Sequence, residues 1–237
     1  MELIYKLKNI FLDILFPSIC LNCKKDLLET EKENKICRKC IESIRVYSSF
    51  FCPKCKNRIP DQQKNCHKEI KFLLAPITSY QDKVVKNIVW FLKYHKWKSL
   101  INIIRPLIIK YLDNLNQDFN NFIVIPIPLH SDRYKDRGFN QSELIAKEVS
   151  QKIKADLIIN NLKRSKATKN QAELKNVNER ILNIENCFVL ESPEKIKGKS
   201  VLIIDDVFTS GSTMSEAVKI LKNAGANKII AFVFAKT

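Results

Sequence analysis

Two adjacent carboxylates, Asp205 and Asp206, follow an apolar β-branched run, Val201 to Ile204, and lead at once into the hydroxyl-rich stretch Phe208-Thr209-Ser210-Gly211-Ser212-Thr213. A buried strand that ends in paired acids fixes them where open α/β sheets bind ligands, outside the carboxyl ends of the strands. Two carboxylates side by side can accept hydrogen bonds from a vicinal diol, and a glycine loop opening a helix offers backbone N–H groups to an anion. A sugar that carries both a diol and a phosphate satisfies both halves. The plain alternative is a parallel strand whose polar turn caps the next helix, but that reading requires neither the acid pair nor the run of hydroxyls.

The cysteines form the second chemical pattern. Seven of the 8 lie before residue 67, as Cys20-Leu-Asn-Cys23, Cys37-Arg-Lys-Cys40, Cys52-Pro-Lys-Cys55 and Cys66. Pairs at this spacing are how zinc-ribbon knuckles present thiolates, and two neighbouring pairs give zinc its tetrahedral set. Cys20, Cys23, Cys37 and Cys40 are therefore assigned to one structural zinc site. A second site would use Cys52, Cys55 and Cys66, with its fourth ligand open between Glu69, which keeps the expected spacing, and His67, which directly follows Cys66. A thioredoxin-like redox pair would need one such motif at a βα junction rather than three in a polar segment. Cys187, in the apolar context Cys-Phe-Val-Leu, reads as core.

Only 4 glycines occur in 237 residues, so each marks a backbone need. Gly211 falls in the hydroxyl loop and Gly138 in Arg137-Gly138-Phe139-Asn140-Gln141. The stretch Val201 to Thr213 resembles the phosphoribosyl diphosphate signature of type I phosphoribosyltransferases. With Ile-Pro-Ile-Pro-Leu at Ile125 to Leu129, the Arg137 to Gln141 motif and the N-terminal cysteine pairs, the chain resembles the ComF/GntX family of competence-associated proteins from about Cys20 to its end. The resemblance implies that Asp205 and Asp206 hold the ribose hydroxyls and that the loop from Phe208 through Thr209, Ser210, Gly211, Ser212 and Thr213 holds the 5-phosphate. It implies that Pro126, Ile127 and Pro128 begin a diphosphate loop, with Mg2+ accompanying phosphoribosyl diphosphate and Arg137 neutralising the departing group. Ser210 stands where many relatives have threonine, which keeps the hydroxyl.

The elements that must position these residues follow from periodicity. Leu73 to Tyr80 reads as a strand, and Asp82 caps a helix with apolar face Val84, Val85, Ile88, Val89 and Leu92. Further elements are a helix from Lys98 to about Leu115, a strand Phe122 to Ile125, a helix Gln141 to Lys154 and a short strand near Leu157 to Ile159. Cys187 to Leu190, Val201 to Ile204 and Ile229 to Phe234 are expected to close the sheet. This order predicts an α/β fold, a Rossmann-like and mainly parallel sheet of the type I phosphoribosyltransferase kind, behind a small cysteine-rich zinc-ribbon module. The boundaries expected are an amphipathic N-terminal helix at 1–18, a double zinc ribbon at 19–70 and a phosphoribosyltransferase-like domain at 71–237.

Lys6, Lys8 and Asp13 interrupt the apolar face of the first helix and no small-residue cleavage site follows, so it reads as a docking helix rather than a signal peptide or membrane span, and the expected location is cytoplasmic. Lysine and arginine number 41 against 25 acids, a net charge of +16 that favours a polyanionic partner. No acid lies between Lys83 and Tyr111, and Lys93, Tyr94 and Trp97 are the candidates there for binding phosphates and stacking bases of single-stranded nucleic acid. The segment Lys163 to Asn183, with Arg164 and Arg180, resembles the family's basic hood over the site; charge alone also fits a solvated helix face. Two function classes result. One is a phosphoribosyltransferase-like protein linked to handling of single-stranded DNA in competence, with the competence helicase or other DNA-uptake proteins as implied partners. The other is a non-catalytic single-stranded-DNA-binding protein built on a relic of that fold.

Overall fold

The computed structural model describes residues 18–60, 66–165 and 186–237. Residues 1–17 of the expected N-terminal helix and all of the expected hood after residue 165, Arg180 included, lie outside these residues. The described elements are helix α1 (Arg38–Glu42), strands β1 (Phe50–Phe51), β2 (Arg58–Ile59) and β3 (Leu73–Ser79), helices α2 (Lys83–Tyr94) and α3 (Ile101–Asp113), and strand β4 (Phe122–Pro126). Helices α4 (Ser131–Arg137) and α5 (Gln141–Ile153) follow, then strands β5 (Asp156–Leu157), β6 (Leu162–Arg164), β7 (Phe188–Leu190) and β8 (Ser200–Phe208), helix α6 (Ser212–Asn223) and strand β9 (Ile229–Lys236).

Among the described residues a sheet of seven strands runs in the order β2-β1-β3-β9-β8-β4-β5. From β3 to β5 every pairing is parallel, while β1 joins β2 and β3 antiparallel. The parallel Rossmann-like sheet is thus as expected. It also continues into the cysteine-rich module, because the hairpin of the second ribbon adds β1 and β2 to its edge. A boundary near residue 70 divides one sheet rather than two separate bodies.

Strand β8 explains why the core can position the site. It lies between β4 and β9 with helices over both faces, so Val201 to Ile204 are all fully buried. Side chains alternate across a strand. Leu202 and Ile204 pack with α2, α3 and α5 on one face, while Val201 and Ile203 pack with Met214, Ala217, Val218 and Leu221 of α6 on the other. Two sequence expectations change here. The strand does not stop at Ile204 but runs through both acids to Phe208, held by pairing of Asp205, Val207 and Phe208 with β9. Phe188 to Leu190 does not join the main sheet: it pairs antiparallel with β6 in a separate two-stranded ribbon, because Leu162 to Arg164 supplies a nearer partner that the sequence pattern did not reveal.

The first cysteine knuckle is fused to the same core. Cys20, Leu27, Ile36, Cys40 and Ile44 are buried with the residues of α2 and α3. Asn22 links the two parts through polar contacts: its Nδ2 donates to Cys40 Sγ at 3.3 Å, and its Oδ1 accepts from Asn87 Nδ2 of α2 at 3.3 Å. Tyr111 of α3 provides a second tie, being fully buried with its hydroxyl donating to the Ser49 carbonyl at 3.0 Å. Replacing Tyr111 by Phe keeps the ring but strands that carbonyl in the interior. Unfolding in urea is expected to show a loss of about 1–3 kcal/mol; an unchanged midpoint and slope would show that the tie contributes nothing.

Candidate functional site

Asp205 and Asp206 sit at the C-terminal end of β8, and each has a partner brought by a helix. Ser142 Oγ, in the first turn of α5, donates to Asp205 Oδ1 at 2.9 Å, and the Asp206 amide donates to the same oxygen at 2.8 Å. Lys93, in the last turn of α2, places Nζ 2.8 Å from Asp206 Oδ2. Burial, followed by the charge of Asp206, holds the Asp205 carboxyl up at about 6, and Lys93 and the two donors only partly offset this.

The hydroxyl loop follows directly. Gly211 has φ +81°, a left-handed conformation, and a Cβ there would meet Phe208 Cζ at 2.6 Å, so both backbone and space demand glycine. The Phe208 ring is the buried floor beneath the loop. Gly211 is also the N-cap of α6 and has no side chain to cap it; Ser210 Oγ accepts from the Ser212 amide at 3.4 Å, and the positive end of the helix dipole lies at the loop. Ser210 and Ser212 hold each other at 2.9 Å between their hydroxyls.

A cavity of about 320 Å³ joins these parts. Its lining brings together Asp205, Asp206, Thr209, Thr213, Ile127, Pro128, Arg137 and Arg164, all expected from the sequence. Ser210, Gly211 and Ser212, between Thr209 and Thr213 in the loop, are not among the residues that line it. Pro126 is buried in β4 opposite Ile204, and it is the following residues that reach the cavity. The turn after β4 is held from two sides: the Ile127 amide donates to the Ile204 carbonyl at 2.8 Å, and Asn140 Nδ2 donates to the Ile127 carbonyl at 2.9 Å. Arg137 Nη1 donates to Gln141 Oε1 at 3.0 Å, and Gln141 Nε2 donates to the Leu92 carbonyl at 3.2 Å. The motif Arg137 to Gln141 is thus a brace between the turn, α2 and α5 as well as a source of positive charge.

The nucleic-acid candidates divide. Tyr94 is exposed at the cavity rim with the Arg137 guanidinium 6.0 Å from its ring centre. Lys93 is not an exposed phosphate contact, because the buried Asp206 carboxylate draws it into an ion pair inside the cavity. Trp97 is not a free platform: its ring stacks on Phe91 at 4.8 Å with 6° between the planes and Lys35 above it, so its faces are already covered. Another exposed aromatic on the cavity rim is Trp90, one turn before Tyr94 on α2. Sequence reasoning missed Trp90, Arg133, Gln141 and Ser142. A signal for the last two was present, since Asn140-Gln141-Ser142 opens a helix with three polar residues where one cap suffices.

Both cysteine clusters have the geometry of metal sites. Sγ atoms of Cys20 and Cys40 lie 3.9 Å apart and those of Cys23 and Cys37 3.7 Å apart, matching the edge of about 3.8 Å for a tetrahedron with Zn–S near 2.3 Å. Cys20 and Cys52 start matching knuckles: the amides of Lys24 and Lys56 donate to the carbonyls of Cys20 and Cys52, and both lysines adopt left-handed backbones. The second cluster consists of Cys52, Cys55, Cys66 and His67, with His67 Nδ1 3.4 Å from Cys52 Sγ and 3.2 Å from Cys66 Sγ. His67 thus takes the open position. Glu69 instead pairs with Lys54 Nζ at 2.6 Å, because this ammonium inside the knuckle competes for the carboxylate. The donor sets, four thiolates in the first cluster and three thiolates with one imidazole in the second, are those of structural zinc. Freshly purified, chelator-free protein is expected to hold two zinc ions per chain by elemental analysis, and His67→Ala to reduce this toward one. A content near one in the unaltered chain would overturn the second site.

Comparison with known proteins agrees with this geometry. The phosphoribosyl transferase domain matches residues 92–237 and the double zinc ribbon domain matches residues 11–73. Competence protein ComFC of Streptococcus pneumoniae is 26% identical over 211 residues, covering 87% of this chain and 90% of its own length. DNA utilization protein YhgH of Escherichia coli K12 is 25% identical over 224 residues, covering 92% and 90%. Competence protein F of Haemophilus influenzae is 35% identical over 107 residues, covering 45% and 46%. Among the described residues no helix is long and apolar enough to cross a membrane. A domain match over more than half of the length, with the ribbon match ahead of it, makes the chain a member of the phosphoribosyltransferase domain family in its ComF branch.

Proposed function

We propose that the chain binds phosphoribosyl diphosphate or a related ribose 5-phosphate ester, with magnesium, at the C-terminal end of β8, and that it serves the handling of single-stranded DNA in natural competence. The observation that carries the first part is the acid pair set one short loop away from a helix N-terminus capped only by Gly211. One oxygen of each carboxylate is committed to a protein donor, Asp205 Oδ1 and Asp206 Oδ2, so the pair offers its remaining oxygens to a ribose diol. Thr209 and Thr213 then face the 5-phosphate, and Arg133 and Arg137 the diphosphate. Magnesium brought with the diphosphate would lessen its negative charge. In a transfer step the bond from C1 to diphosphate oxygen breaks, the cationic side chains stabilise the departing group, and a nucleophile attacks the sugar carbon. Release of diphosphate in the presence of nucleic acid separates a transferase from a binding module with the same residues.

The second part is supported by the names of the relatives, a competence protein and a DNA utilization protein, by the net charge of +16, and by the exposed Trp90 and Tyr94 on the cavity rim that Arg137 shares. Aromatic faces next to cations suit single-stranded bases and phosphates. Trp90→Ala is expected to weaken single-stranded DNA binding by about 1–3 kcal/mol without altering the slope of affinity against salt, whereas Trp97→Ala acts only through folding. Equal affinity of Trp90→Ala and the unaltered chain would remove α2 from the nucleic-acid surface.

The acid pair gives a pH test. The Asp205 carboxyl at about 6 lies above its unfolded value near 3.9, so as pH falls through about 6 the folded chain takes up a proton that the unfolded chain does not. This group alone then adds stability to the fold between about pH 6 and pH 4, while ligand affinity, which needs the carboxylate, is lost over the same interval. Calorimetry with phosphoribosyl diphosphate is expected to show that opposition. The double variant Asp205→Asn and Asp206→Asn should stay folded and lose about 1.5–3 kcal/mol of affinity per charge-assisted contact. Unchanged binding in that variant would place the ligand elsewhere.

A further inference from the structure

Lys93 reaches the acid pair from outside the strand, loop and helix that carry it. Its helix is fixed on both sides of the last turn: Val89 and Leu92 are buried in the core, and the Leu92 carbonyl accepts from Gln141. The ammonium is held 2.8 Å from Asp206 Oδ2, with side-chain exposures of only 22% and 11% for the two partners. Asp205 has no such direct ion pair among the described residues; it accepts from the Ser142 hydroxyl and a backbone amide, with the charge of Lys93 nearby. Among the described residues lining the cavity, Lys93, Arg133, Arg137 and Arg164 share it with only two acids, Asp205 and Asp206. A divalent cation moving onto Asp206 would meet an ammonium already on that carboxylate, and like charges at such range repel.

We infer that Lys93 is a positioning residue that supplies the counter-charge of the acid pair from within the chain, so that a ribose 5-phosphate ester binds this site without a divalent cation. The inference rests on the sugar-phosphate reading above. When a diol donates to the carboxylates, the ammonium holds Asp206 in line, and its remaining protons are free to meet the incoming phosphoester. Magnesium becomes an aid to the charge of a diphosphate rather than a condition for holding the sugar.

Calorimetry on the full chain tests this with ribose 5-phosphate and with phosphoribosyl diphosphate, in buffer freed of divalent ions by resin and again with magnesium. A soluble chelator is avoided because it would also draw on the cysteine clusters. The unaltered chain is expected to bind ribose 5-phosphate equally in both buffers. Lys93→Met keeps the aliphatic stem, and its metal-free affinity should fall by about tenfold to a hundredfold, the worth of a charge-assisted hydrogen bond. Added magnesium should restore most of that loss, and Lys93→Arg should need no rescue. Loss of binding by the unaltered chain on removal of magnesium overturns the inference while leaving the sugar-phosphate site standing, and this arm needs no variant to fold. An equal loss for Lys93→Met in both buffers assigns the lysine a structural role and also overturns it. Absence of binding in every buffer overturns the site reading itself.

Discussion

Holding two carboxyl groups side by side near the end of a strand buried on both faces is the constraint on which the rest of this structure depends. Leaving water is costly for one carboxylate, and for two side by side the repulsion adds to that cost. The fold meets this by drawing α2 and α5 to the same point, one with Lys93 and the other with Ser142. Helix α5 is aimed by Asn140, which caps it and ties it to the turn after β4, and α2 is tied to α5 through Gln141. The brace at Arg137 to Gln141 is therefore part of the same solution as the acid pair, although the two lie far apart in sequence.

The metal clusters solve a different problem. The cysteine-rich segment offers few apolar residues, and ligand bonds replace the core it does not have. Its two halves use this differently. The first knuckle buries Cys20 and Cys40 against the main core, while the second keeps Cys55 and Cys66 exposed and contributes strands to the sheet edge. The ribbon module is consequently both a clamp on α2 and α3 and an extension of the sheet.

Most of the sheet was legible because parallel strands buried on both faces read as continuous apolar runs, and Val201 to Ile204, Phe122 to Ile125 and Ile229 to Phe234 all follow that rule. The knuckles were legible because two-residue spacing leaves thiols little freedom. What escaped depends on contacts distant in sequence. Lys93 was read as surface charge because nothing local points to Asp206, more than a hundred residues on. Trp97 was read as exposed because the Phe91 ring that covers it is visible only once the loop after α2 turns back. The fourth ligand stayed open between His67 and Glu69, because the competing attraction of Lys54 for Glu69 is invisible in one dimension. The pairing of β7 with β6 escaped because short strands carry little periodicity of their own.

Asn22 connects matters that chemistry usually keeps apart. With one end on Cys40 Sγ and the other on Asn87, it makes a thiolate of the first cluster a support of the very helix that carries Lys93 to the acid pair. A thiolate that loses its metal takes up a proton and ceases to be a strong acceptor, so the support loosens at its root. The position of Lys93 at the acid pair is thereby joined, through one side-chain amide, to the metal content of the first knuckle.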